Sequence, residues 1–108
     1  MSRQDLEAWA DDRFLADPSF AKRKTFGCPS YYRGKKMFAF IYEDALGIKL
    51  PPERVAEVIA KDPDTFAHFN PGDGIMKNWL MITRPEAEEY ERDEALIQEG
   101  LAAFKQAA

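Results

Sequence analysis

A chain of 108 residues, 45% apolar and 31% charged with a formal net charge of −4, has the size and composition of one folded domain, because two separate cores cut from it would each be marginal. One cysteine excludes an internal disulfide, and one cysteine with one histidine leaves too few ligands for a zinc finger or a His-rich metal centre. No basic-then-apolar leader opens the sequence and no apolar run approaches the ~18 residues that a bilayer demands. The expectation is a single cytoplasmic domain over residues 1–108 with no membrane role.

The chain opens with Ser2 and Asp5 in an approximate capping arrangement, then places Leu6, Trp9, Ala10 and Phe14 at helical spacing, which predicts a helix over residues 3–16. Pro18 stops it, since the residue before a proline disfavours the helical conformation. After the basic stretch Lys22, Arg23 and Lys24, residues 25–28 and 30–33 read as one strand bent at Pro29, whose missing N–H favours an edge or a bulge. Gly34 marks a hairpin turn. The return strand, 37–43, reads by alternation with Met37, Ala39 and Ile41 on one face and Phe38, Phe40 and Tyr42 on the other, so both faces want cover and the strand belongs in the middle of the sheet.

A further strand is predicted over 46–50. Pro51 and Pro52 then suit the start of a helix, whose apolar stripe of Val55, Val58 and Ile59 runs to Lys61. Residues 65–69 form a weak strand candidate. Asn70, Pro71, Gly72, Asp73 and Gly74 are the densest turn signal, and 79–83 follow as a strand. Thr83 and Glu86 have capping-box spacing ahead of a long last helix that presents Tyr90, Ile97, Leu101 and Phe104. Gly100 inside it costs about 1 kcal/mol relative to Ala. Tight turns cannot join parallel strands, so the fold class is α+β: two layers, a mainly antiparallel sheet of about five strands packed with N-terminal, middle and C-terminal helices.

The small net charge hides a strong polarity. Residues 22–49 hold seven basic and two acidic side chains, whereas residues 85–108 hold two basic and seven acidic. A basic hairpin tip carrying Tyr31, Tyr32, Arg33, Lys35 and Lys36 is a candidate nucleic-acid contact, with lysine and arginine for phosphates and tyrosine for stacking. Set against it, an acidic chain rarely binds nucleic acid by electrostatics, and lysine also serves to discourage edge pairing. Phe38, Phe40, Tyr42 and Trp79 form a candidate self-association face, because helices that cover one side of the sheet leave the other apolar set in need of a partner.

No residue is assigned to catalysis, and no cofactor or metal is called for. Cys28 reads as a small buried hydrophobe, and His68 has no nucleophile or acid beside it in sequence. Gly72, Asp73 and Gly74 lead into a strand and not a helix N-terminus, so they read as a turn and not a phosphate cradle. The acidic cluster from Glu86 to Glu94 reads as a solvated helix face.

Phe26-Gly27, then the run from Tyr31 through Gly34 to Ala39, then Leu46, Lys49 and Leu50 ahead of a helix, resemble the N-terminal domain of TfoX-type competence regulators. With Pro71, Gly72, Met76, Lys77 and Trp79 before the last helix, the chain is also similar to the MmcQ/YjbR group. The resemblance spans most of the chain and rests on structural positions. It implies an antiparallel sheet flanked by helices, no established catalytic residue, and a regulatory or DNA-associated role. The chain departs from the usual second glycine after Phe-Gly, having Cys28-Pro29-Ser30, and the expectation is a domain without the C-terminal half of full-length TfoX proteins. The expectation is a non-enzymatic stand-alone domain acting through protein contacts as a homodimer, the alternative being a DNA-binding module built on residues 31–36.

Overall fold

A computed structural model describes residues 3–72 and 74–107. Ser2 and Asp73, both invoked above, lie outside the described residues. The elements are α1 (Arg3–Phe14), β1 (Phe20–Thr25), β2 (Cys28–Arg33), β3 (Lys36–Tyr42), β4 (Ala45–Lys49), α2 (Pro52–Lys61), β5 (Phe66–Phe69), β6 (Met76–Ile82), a 3-10 segment (Ala87–Asp93) and α3 (Glu94–Ala107). The strands form one antiparallel sheet in the order β1-β2-β3-β4-β6-β5. The α+β class and the three helices are as expected. The sheet has six strands where five were expected, because the basic stretch 22–24 is itself part of β1.

Three two-residue turns build the first four strands. The pair Thr25 and Cys28 closes around Phe26-Gly27, Arg33 and Lys36 around Gly34-Lys35, and Tyr42 and Ala45 around Glu43-Asp44. Phe26 and Gly27 both have positive φ, 52° and 78°, the signature of the turn whose twist matches a right-handed β-hairpin. Residues 25–33 are therefore two strands and a turn, not one bent strand. Pro29 sits in an interior strand without harm: next to the hydrogen-bonded pair that closes a two-residue hairpin comes a non-bonded pair, so its nitrogen points away from β1. There, pairing with β3 begins only at Ser30.

β3 is central, but its faces are not those that simple alternation predicts. Tyr31 faces Ala39 and Tyr32 faces Met37, leaving Phe38 as an extra residue in the strand. A bulge of this kind shifts the period-2 phase by one. Phe38 consequently joins Ala39 and Ile41 in the core, while Met37 joins Phe40 and Tyr42 on the opposite face.

All three helices pack on one side of the sheet. Leu6, Ala10 and Phe14 of α1, Val55 and Val58 of α2, and Ile97 and Phe104 of α3 close over Tyr31, Phe38, Ile41, Leu46, Ile48, Leu80 and Ile82. Among the described residues, no helix residue belongs to the cluster on the other side. Gly100 explains itself here: a Cβ would lie 2.7 Å from the Lys49 carbonyl oxygen and 3.1 Å from the Phe38 ring, so its absence lets α3 press onto β4.

The polarity of the sequence turns into contacts between elements. Lys22 on β1 bonds to Glu7 and to Asp11 on α1, the latter at 3.0 Å, and the Tyr31 hydroxyl donates to Asp11 Oδ1 at 2.7 Å. Arg13 holds Glu94 through two hydrogen bonds of 2.6 and 2.7 Å, and Arg54 holds Glu99 through two more. The capping box lies three residues later than expected, with Glu86 and Glu89 reciprocally bonded ahead of the 3-10 segment. Tyr90 fills the space beneath, donating to the Ile82 carbonyl at 3.0 Å and accepting from the Arg84 N–H at 3.1 Å. Its burial pushes the phenol up to about 12.

Candidate functional site

The helix-free face of the sheet is a shallow apolar concavity. Phe40, 4% exposed, is its floor, with the Phe69 ring 4.9 Å and the Trp79 ring 5.0 Å away in edge-to-face contact. Tyr42 meets Phe69 in the same way at 5.2 Å. This geometry matches the positive edge of one ring to the negative face of the next. Gly47 and Met81 support Phe40: a Cβ on Gly47 would lie 2.7 Å from the Phe40 ring and 3.0 Å from Met81 Sδ, so the glycine is what allows the phenyl to lie flat over β4.

Twist brings opposite corners of the sheet toward each other across this floor. Thr25, Phe26, Cys28 and Ser30 come from the first hairpin, and Phe69, Pro71, Met76 and Trp79 from β5, β6 and their connection, enclosing a cavity of about 350 Å³ with Met37, Phe40 and Tyr42. That volume lies at the lower end for small-molecule sites. None of these lining residues is acidic or basic, so the cavity favours a neutral, apolar occupant. The hydroxyls of Thr25 and Ser30 are already engaged: Thr25 and Tyr32 share a hydrogen bond of 2.9 Å, and Ser30 donates to the Cys28 carbonyl at 3.0 Å.

Of the four residues expected on a self-association face, Phe40, Tyr42 and Trp79 are brought together here. Phe38 is not. It is fully buried on the helix side, with Phe14, Phe20 and Phe104 rings within 6.1 Å, and the bulge in β3 is the reason.

The basic hairpin is also dispersed. Tyr31 is fully buried beneath α1 and offers no surface for stacking. Arg33 lies over the Phe20 ring and bonds to Ser19 and to Asp17. The Tyr32 ring is covered by Arg23 at 5.1 Å. Lys35 and Lys36 are exposed at the turn.

Cys28 is half-buried at the cavity wall and not in the core. His68 is half-buried on β5, opposite Leu80. Gly72 donates its N–H to Asn70 Oδ1 at 2.9 Å, closing the expected turn. Among the described residues, no group of His, Cys, Asp and Glu is arranged to hold a metal ion, and no helix is long and apolar enough to cross a membrane.

Sequence reasoning overlooked Phe26, Met37, Phe69 and Met76 as members of this surface. Phe26 is fully exposed, at 101%. The available signal was the Phe-Gly pair between two strand-like runs, which fits a two-residue hairpin turn. Comparison with protein-family models, curated proteins and solved structures finds no match to the chain.

Proposed function

We propose that the chain is a non-enzymatic interaction module of the TfoX N-terminal-like kind, working in the cytoplasm and self-associating through the outer face of its sheet. The observation that carries this is the charge-free aromatic concavity over β3, β4 and β6, left uncovered by the described helix residues while apolar side chains stand at its rim. Exposed apolar surface of this kind is usual at interfaces and costly in an isolated monomer. A symmetric pairing covers it with the same surface of a second copy.

Sedimentation at micromolar concentration tests the proposal. A species of about twice the 12.4 kDa chain mass is expected, and Met76→Asp, at the half-exposed rim, is expected to dissociate it. A wild-type chain that stays monomeric up to roughly 100 µM, weaker than any specific dimer of use, overturns it. Nucleic-acid binding has less support, because Tyr31 and Arg33 are occupied within the fold and, of the five hairpin candidates, Lys35 and Lys36 alone are exposed.

A further inference from the structure

Phe26 is out of place for both of the ordinary reasons a residue occupies a turn. A positive φ of 52° suits Asn, Asp or Gly, and for a bulky side chain it is an outlier. Full exposure of the ring adds an unfavourable contact with water. Neither folding nor hydration accounts for a phenyl there, and strained positions of this kind gather at functional sites. The ring stands at the rim of the aromatic concavity, whose lining also includes Met76, 42% exposed, next in the chain to the 55% exposed Ile75.

The geometry points to Phe26 as the anchor of the pairing: the ring of each copy enters the concavity of the other and packs among Met37, Phe40, Met76 and Trp79. This inference rests on the self-association proposed above and names the residue that completes the site. The occupant is a second copy because the chain itself carries, on one patch, both a neutral apolar hollow and an exposed neutral apolar knob. A surface that is convex and concave in matching chemistry is self-complementary, as a two-fold interface requires. The volume of about 350 Å³ exceeds one benzyl group, leaving room for the rim residues of the incoming copy beside it. A central aromatic anchor seated in a desolvated pocket is a recurrent form of interface hot spot.

Phe26→Asn removes the ring while giving the turn a residue it prefers, so folding is preserved. Comparing it with Met76→Asp by sedimentation separates the two claims. Phe26→Asn is expected to raise the dimer dissociation constant by at least about tenfold, with Phe26→Tyr close to wild type. In a mixed sample of labelled and unlabelled chains, intermolecular NMR cross-peaks are expected from the Phe26 ring to the Met37 and Met76 methyls. If Phe26→Asn dimerises as tightly as wild type while Met76→Asp dissociates, the anchor is wrong and the outer-face pairing stands. If a dimer forms without those cross-peaks, the anchor is likewise overturned. A monomeric wild type, or a dimer indifferent to both substitutions, removes the outer-face pairing and the anchor together.

Discussion

Arg84 and Asp93 meet through two hydrogen bonds, Nη2 to Oδ1 at 2.7 Å and Nε to Oδ2 at 3.2 Å, with the carboxylate only 1% exposed. The pair clamps the second residue beyond β6 to the last residue of the 3-10 segment, and the guanidinium also lies over the Phe66 ring. Donating to Asp93 holds Arg84 firmly protonated. Asp93→Ala leaves that cation partly buried and unpaired, and is expected to lower unfolding stability by about 3 kcal/mol. Urea denaturation checks this through a lower midpoint at unchanged slope.

Gly100→Ala discriminates between local and tertiary control of α3. Helix propensity alone predicts a gain of about 1 kcal/mol. The close approach of the Lys49 carbonyl and the Phe38 ring predicts a loss of about 1–3 kcal/mol, because α3 must lift from β4. The expected outcome of thermal melting is a lower midpoint.

Phe26→Asn is expected to raise the stability of the monomer by about 1 kcal/mol, since asparagine tolerates positive φ and the exposed phenyl does not. Denaturation at submicromolar concentration, below dimer formation, checks it. A loss of stability would show that the ring supports its own hairpin.

Alkaline pH should unfold the chain through its buried phenols. Burial raises Tyr90 to about 12, and burial with the bond to Asp11 raises Tyr31 further. A group whose folded value is raised contributes fully below its unfolded value of 10.0 and loses that contribution as pH rises through the folded value. Stability should therefore fall between pH 10 and about 12, by on the order of 2 kcal/mol for Tyr90. Tyr90→Phe should show a flatter slope across that window.

Acid acts on the opposite sign. The bonds from Arg13 lower Glu94 below its ordinary 4.5, and those from Arg54 do the same for Glu99. Their contribution is complete above 4.5 and disappears as pH falls through the lowered values. Solvent screening limits each to under about 1 kcal/mol. Arg13→Gln is expected to reduce the loss of stability measured between pH 5 and pH 3.

Much of the fold was legible because its boundaries are written in local chemistry. Pro18 follows α1, Pro52 opens α2, and Gly34 makes its turn with φ of 64°. The outer face was legible only in part. Phe40 and Tyr42 could be placed on it by alternation, but Phe38 was placed there wrongly, because the bulge that turns it inward arises from how β2 pairs with β3. Tyr31 could not be distinguished from Tyr32 by type or position; the Asp11 carboxylate that captures one hydroxyl lies 20 residues away in the chain.

The amino-acid order by itself determined an α+β chain with tight hairpins, proline-bounded helices and a basic middle between acidic ends, since turn propensity, missing N–H groups and charge act over a few residues. Only the tertiary structure decided that the acidic α1 lies against the basic hairpin, that Gly100 is a packing surface, and that Phe26 stands at the mouth of an aromatic hollow. Those outcomes depend on strand register and on which residues distant in the chain become neighbours, and close packing settles both only when all the elements are assembled.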